Sequence, residues 1–311
     1  MPSALDQFAS DGFLVLNGFY RDEQLDRVSS LIAQRKRERP LNVVVDMLDT
    51  GERTALGLLS PEEIETRRMK ISDLYLDMPD IRQLALSSEL LSVLTELLGH
   101  VPVLCNSLYL EKGSAQPPHV DALYMTPRSE EHLIASWVAL EDSHPDAGPL
   151  EYFPGSHRLP QMIFSNGTRH FEPDEMPKWE AYMADQVKNA GLAKKSFSAK
   201  KGDVLIWHSN LLHGGGQINN PELTRKSLVF HYYSKTDAQA QRCTLEHLNR
   251  AFWMNRPPHP LPAAVAQKLL FNEQAYLARY PDVADAVAAG GFKSGMQHYE
   301  LFGMREGRNP A

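Results

Sequence analysis

The chain has two cysteines, Cys105 and Cys243, in 311 residues. That is too few for a disulfide framework, so the fold must rest on an apolar core, with both thiols buried in a reducing compartment. A basic surplus is missing too: 32 Lys and Arg stand against 39 Asp and Glu, for a net charge of −7. A protein that follows a phosphate backbone needs a basic footprint, which excludes nucleic acid as a partner. No stretch approaches the roughly 18 apolar residues of a membrane span. The N-terminus, Met1-Pro2-Ser3-Ala4-Leu5-Asp6, has neither a cationic start nor an apolar run, and a cytoplasmic location is expected. What remains, 42% hydrophobic and 23% charged, is ordinary globular composition. The length allows one large domain and an appendage.

Short apolar runs separated by Gly- and Pro-rich turns dominate the first 254 residues. Phe13–Leu16, Val101–Leu110, Leu133–Glu141, Leu150–Phe153, Phe197–Ala199, Val204–Trp207 and Ser227–Ser234 read as strands, the pattern of a β sandwich or barrel. Helical spacing appears after Gly18, in Leu25, Val28, Leu31 and Ile32, and along Ile81–Leu98, closed by Gly99. Leu41–Ser60 lacks a period and reads as a loop. A polar insertion at about 159–195, with Trp179, Tyr182 and Met183, has the length of a lid over a site. Residues 255–262 are a stiff proline linker. Residues 263–311 change character to short helices punctuated by Gly290-Gly291 and Gly303.

Chemistry concentrates in two places. In Pro118-His119-Val120-Asp121, side chains two apart on an extended segment point the same way and can grip one ion. His213, in His213-Gly214-Gly215-Gly216, offers a third ligand. Two imidazoles and one carboxylate with open positions is the set used by non-haem Fe(II) oxygenases. A second triplet, His144-Pro145-Asp146, lies among prolines and a glycine and reads as a loop. The turn residues Asn219-Asn220-Pro221 suggest a hairpin about position 219, which places Arg225 opposite His213. A guanidinium there suits a bidentate clamp on a carboxylate, as 2-oxoglutarate requires.

These motifs, with Gly12–Leu16, Gly148-Pro149-Leu150-Glu151-Tyr152-Phe153-Pro154-Gly155-Ser156-His157, Lys201–His208 and Arg225–Tyr232, resemble the phytanoyl-CoA dioxygenase family from about Phe13 to Tyr233. The resemblance implies a mainly β fold with flanking helices, built on a double-stranded β-helix of the jelly-roll or cupin type. It implies Fe(II), held by His119, Asp121 and His213 as metal and catalytic residues. It also implies 2-oxoglutarate and O2 as co-substrates, with ascorbate as a stimulant. Arg225 would hold 2-oxoglutarate, with Lys70 and Trp137 beside it and Tyr109 and Leu108 as walls. Relatives that halogenate lack the carboxylate that Asp121 supplies, so hydroxylation of an aliphatic C–H bond is implied, with succinate and CO2 released. The substrate would be a small or amphiphilic molecule, free or lipid- or acyl-linked.

Two rival readings keep the same residues. A catalytically inactive cupin-like binding protein would tend to have lost a ligand, and a metal-dependent hydrolase would have no use for Arg225. The tail, 263–311, resembles a helical module found beside carbohydrate-active proteins. It would either recruit a carbohydrate- or lipid-linked substrate or simply cover an apolar face of the barrel.

Overall fold

The computed structural model describes residues 3–129, 131–241, 243–303 and 306–309. The apolar runs form β1 (Phe13–Leu16), β2 (Val44–Met47), β3 (Arg53–Ala55), β4 (Met69–Ser72), β5 (Pro102–Leu110), β6 (Leu133–Ala139), β7 (Leu150–Tyr152), β8 (Lys195–Phe197), β9 (Val204–His208), β10 (His213–Gly215), β11 (Ser227–Ser234), β12 (Thr244–Leu248) and β13 (Ala251–Asn255). The larger sheet runs β1-β9-β6-β11-β5-β4-β2-β3, and the hairpin β12–β13 joins it through parallel pairing of β13 with β5. A second sheet, β10-β7-β8, carries the rest. This is the jelly-roll core with flanking helices that the motifs imply.

Period-two alternation divides the larger sheet into two faces. Ile134 and Val138, Val204 and Ile206, and Leu228, Phe230 and Tyr232 pack on helices 22–38, 79–85 and 88–98. Ala135 and Trp137, Leu205 and Trp207, and Val229 turn the other way, toward Leu150, Tyr152 and Phe197 of the second sheet. The space between the sheets is therefore lined from both sides. β5 carries one irregularity: Leu104 stands opposite Tyr232 and Asn106 opposite His231, leaving Cys105 as an extra, bulged residue. The bulge turns Asn106 to the same side as His231.

Several expectations change. Leu41–Ser60 is not a loop, because β2 and β3 form a hairpin that continues through β4 to β5. The helix expected over Ile81–Leu98 is two, Pro79–Ala85 and Ser88–Leu98, because the Ser87 hydroxyl caps a new start by accepting from Leu90 N. The insertion holds an ordered helix, Met176–Asn189, whose Trp179 and Met183 are buried against Val120, Leu123 and Leu212. Cys105 is buried, Cys243 half-buried, and both are free thiols. Among the described residues no helix is long and apolar enough to cross a membrane.

The tail has a small core of its own, in which Tyr276, Val283 and Tyr299 gather Phe271, Leu277 and Tyr280. Its aromatic rings thus face one another, and His298 is packed inside with its Nδ1 3.1 Å from the Tyr276 hydroxyl. The proline linker is not clear of the first domain: Arg256 Nη2 lies 2.7 Å from Asp73 Oδ2, and His259 Nε2 3.2 Å from the same oxygen.

Tyr75, fully buried, ties the β12–β13 hairpin to β5, its hydroxyl lying 3.1 Å from Cys105 O and 2.9 Å from Met254 O. Tyr75→Phe should leave these carbonyls without that donor and lower unfolding stability by about 1–3 kcal/mol in urea titration. An unchanged midpoint would show that the hairpin is held by its strand pairing alone.

Candidate metal centre and co-substrate pocket

His119 and His213 meet through an isolated antiparallel bridge. His119 N donates to His213 O at 2.8 Å, and His213 N donates to His119 O at 3.0 Å. The glycines after His213 have a steric reason. A Cβ on Gly214 would sit 2.8 Å from Gln116 O, and one on Gly215 would sit 2.6 Å from Ala115 N. Segment 114–118 therefore lies directly across β10, and only glycine admits it.

The strand expected through 119–121 stops early. Val120 is extended (φ −119°, ψ 141°), and Asp121 opens a single 3₁₀ turn over Asp121–Leu123. Because Val120 is extended, its side chain enters the cluster with Trp179 while His119 and Asp121 share the opposite side. The helix 176–189 thus backs the ligand-bearing segment from outside.

His119, Asp121 and His213 bring one ligand atom each to within 4.8 Å of one another. Asp121 Oδ1 lies 4.0 Å from His119 Nε2 and 3.7 Å from His213 Nε2, distances a single ion can span with bonds of about 2.0–2.2 Å. Both imidazoles direct Nδ1 at a backbone carbonyl, Pro117 O and Leu211 O, each at 2.9 Å. That contact places the hydrogen on Nδ1 and leaves Nε2 as the lone-pair donor. Burial first, then the neighbouring His213, lowers His119 to about 4, so it is neutral at physiological pH. Burial alone would raise the Asp121 carboxyl, but the imidazoles of His231, His213 and His119 outweigh it and hold the group well below the usual carboxylate range. Its second oxygen is engaged elsewhere: Trp207 Nε1 donates to Oδ2 at 2.8 Å, and His231 Nε2 lies 3.4 Å away. One oxygen is held and the other presented.

Arg225 reaches the site by a different route from the one its spacing suggests. No hairpin forms about residue 219. Asn219 N and Asn220 N instead donate to Asp146 O at 2.9 and 3.0 Å, and Ile218 bridges Ala147, so the turn is stitched to the 144–148 loop. β10 pairs with β7, setting His213 opposite Tyr152, while Arg225 N donates to Glu111 O at 2.8 Å just before β11. His213 and Arg225 come from opposite sheets and meet across the interior, lining one cavity with His119, Asp121, Lys70, Leu108 and Trp137. Tyr109 is the correction among these residues. It alternates with Leu108 and Leu110, packs on the helix side of β5, and does not line the cavity. His144 is exposed and Asp146 half-buried, and neither belongs to the ligand group.

The charges of the pocket fit an anionic guest. Arg225 is 3% exposed, and its Nη1 donates to Gly148 O at 2.8 Å. Its Nε has no partner among the described residues, nor does Trp137 Nε1, whose ring lies 5.7 Å from the guanidinium. Burial lowers this arginine to about 10, still a cation at neutral pH. Lys70 differs, since its Nζ already has Asp46 Oδ2 at 3.4 Å. A buried cation and a buried indole N–H, both unanswered, are what a carboxylate would satisfy. Trp207 and His231 had no signal as supports of Asp121, because that role depends on how three strands and a turn converge.

A double-stranded β-helix presenting two imidazoles, one carboxylate and an unpaired arginine belongs to the architectural class of the non-haem iron oxygenases. Among solved structures, the epimerase SnoN from nogalamycin biosynthesis superposes with a TM-score of 0.56 at 17% identity, covering 81% of this chain and 97% of that one. EctD from S. alaskensis superposes at 0.55 and 19% identity, over 74% and 76%. At these identities the likeness is one of fold. The chain belongs to the phytanoyl-CoA dioxygenase (PhyH) family, whose model matches residues 8–227. Human peroxisomal phytanoyl-CoA dioxygenase is 24% identical over 243 residues, 73% of this chain and 66% of that protein. Bovine phytanoyl-CoA dioxygenase domain-containing protein 1 is 26% identical over 266 residues, 74% and 89%. The chain thus spans just under two thirds of the length of the human phytanoyl-CoA dioxygenase.

His119→Ala, Asp121→Ala and His213→Ala should each lose bound Fe(II) by metal analysis while remaining folded. Wild-type stoichiometry in any of them removes that residue from the centre. Gly215→Ala should do comparable damage without touching a ligand, because the added methyl displaces backbone of segment 114–118.

Proposed function

We propose that the chain is an Fe(II)- and 2-oxoglutarate-dependent dioxygenase that hydroxylates an aliphatic C–H bond, with succinate and CO2 as co-products. The observation that carries this reading is the buried, unpaired Arg225 on the same cavity as the three candidate ligands. A hydrolase using the same ligands would have no function for that cation, and a scaffold would gain nothing from leaving it uncompensated. When bound, iron with 2-oxoglutarate supplies the oxidising power for C–H chemistry.

The chain's own residues do the placing. His119, Asp121 and His213 would hold the metal. Trp207 holds Asp121 Oδ2, which would leave Oδ1 as the ligand atom. Arg225 takes the distal carboxylate and Trp137 Nε1 gives a second donor beside it, so that the keto acid arrives in one orientation. Leu108 and Trp137 keep water from the cavity wall. Beside His119, Tyr124 is 42% exposed, its ring 5.9 Å from the imidazole and 5.2 Å from the Phe171 ring. This aromatic rim suits a substrate with an apolar portion next to the reacting carbon. The names of the phytanoyl-CoA relatives make an acyl thioester the first candidate to test. The presence of Asp121 in the ligand set argues for hydroxylation over halogenation.

The protein with Fe(II), ascorbate and 2-oxoglutarate should release succinate slowly on its own and faster with the right substrate. Arg225→Ala should keep its iron while the 2-oxoglutarate concentration for half-maximal turnover rises about ten- to a hundredfold, the loss of a charge-assisted bidentate pair being about 1.5–3 kcal/mol. An unchanged requirement would move the anchor to Lys70. Zinc-supported hydrolysis in the absence of 2-oxoglutarate would favour the hydrolase instead.

A further inference from the structure

A continuous run of buried polar contacts leads from the metal-binding carboxylate to the proline linker. Asp121 Oδ2 lies 3.4 Å from His231 Nε2. His231 Nδ1 is 3.0 Å from Asn106 Oδ1, and Asn106 Nδ2 donates to Asp73 Oδ1 at 2.9 Å. The amide is oriented by Asp73, which can only accept, so the amide oxygen faces His231. The other oxygen of Asp73 takes Arg256 Nη2 at 2.7 Å, and the same Nη2 reaches Cys105 O at 3.2 Å. Cys105 is the bulged residue whose insertion turns Asn106 toward His231. Arg256 thus touches the run twice, through the carboxylate that orients Asn106 and through the bulge that aims it.

The backbone is shaped for this. Asp73 sits in the left-handed region (φ 58°) and its side chain is nearly fully buried, a placement that costs energy unless its contacts hold it. His231 and Asn106 are likewise buried, at 4% and 7% exposure. A buried carboxylate on a strained residue with no role would be a poor choice between β4 and the short helix 74–77.

We propose that Arg256, in the linker between the two parts of the chain, is a positioning residue for Asp121, acting through Asp73, Asn106 and His231. The proposal rests on His119, Asp121 and His213 being the metal ligands. Asn106 fixes the His231 ring, His231 shares with the Trp207 indole the restraint of Asp121 Oδ2, and Arg256 fixes Asn106 through Asp73. The linker is in consequence part of the metal site's support, and the oxygenase unit extends past residue 254 to at least His259.

The test uses the full-length chain and Co(II) as a spectroscopic probe, with affinity measured against a competing chelator. His231→Gln should weaken metal binding by about tenfold or more and shift the Co(II) visible spectrum. Arg256→Gln should act in the same direction by a few-fold to about tenfold, although the residue is far from the metal. Arg256→Lys, which keeps the charge on Asp73, should recover most of that loss. In the His231→Gln background, Arg256→Gln should add less than about a twofold change, because the route is already cut. A folded Arg256→Gln protein with wild-type affinity and spectrum overturns the proposal, as does full additivity in the double variant, which would mark a general loss of stability. Should Arg256→Gln not fold, Asn106→Ser cuts the middle link and carries the same expectation. A wild-type chain that binds neither Co(II) nor Fe(II) would remove the metal site itself, and the relay with it.

Discussion

Two reciprocal hydrogen bonds between the backbones of His119 and His213 set the position of everything else in the site. They join a loop that follows the larger sheet to a three-residue strand of the smaller one, and the sheets close on each other at that point. The glycine run exists to let the two backbones touch. The Nδ1–carbonyl contacts at Pro117 and Leu211 then set ring orientation, and the helix 176–189 closes the back with Trp179 and Met183. Ligand geometry held by backbone contacts and short side chains leaves little rotamer freedom for a metal to take up. It is also intolerant, since a methyl group on Gly215 acts at the level of the backbone itself.

The same economy governs the walls. Period-two alternation assigns the central residues of β5, β6, β9 and β11 either to the helices or to the space between the sheets. Leu108 and Tyr109 are neighbours in sequence and lie in different environments for that reason. Where the alternation would have sent Asn106 to the helices, the Cys105 bulge reverses it. That one inserted residue lets a polar side chain meet His231 inside the molecule rather than being stranded in an apolar layer.

The long strands and the ligand triplet were legible because both depend on local pattern: β5, β6, β9 and β11 lie within a residue or two of where the alternation puts them. The hairpin about residue 219 was not, although the turn residues are present, because Asp146 O competes for the amides of Asn219 and Asn220. Spacing symmetry between 213 and 225 led to the right pocket through the wrong pairing. β2 to β4 escaped notice because short strands with mixed polar faces carry little periodicity. Trp207 and His231 could be read as strand residues but not as supports of Asp121, since that requires knowing which turn ends beneath them.

The pocket is assembled around a cation, Arg225, and a neutral indole donor that it does not itself satisfy. Among the described residues Arg225 is buried with a side-chain contact to the Gly148 carbonyl and no carboxylate, and Trp137 Nε1 is likewise unanswered. Both lower the stability of the empty protein, and the apolar layer between the larger sheet and its helices offsets them. A guest that binds the folded state alone stabilises it by mass action, by about 2.7 kcal/mol at a hundred times its dissociation constant. The same arrangement discriminates among guests. A monocarboxylate bound beside the His119, Asp121 and His213 group would leave the desolvation cost of Arg225 as before, whereas a dicarboxylate of the right length would relieve it. Under the proposed function, selectivity for 2-oxoglutarate would follow from leaving the guanidinium without a protein carboxylate, and adding one would stabilise the fold at the expense of that selectivity.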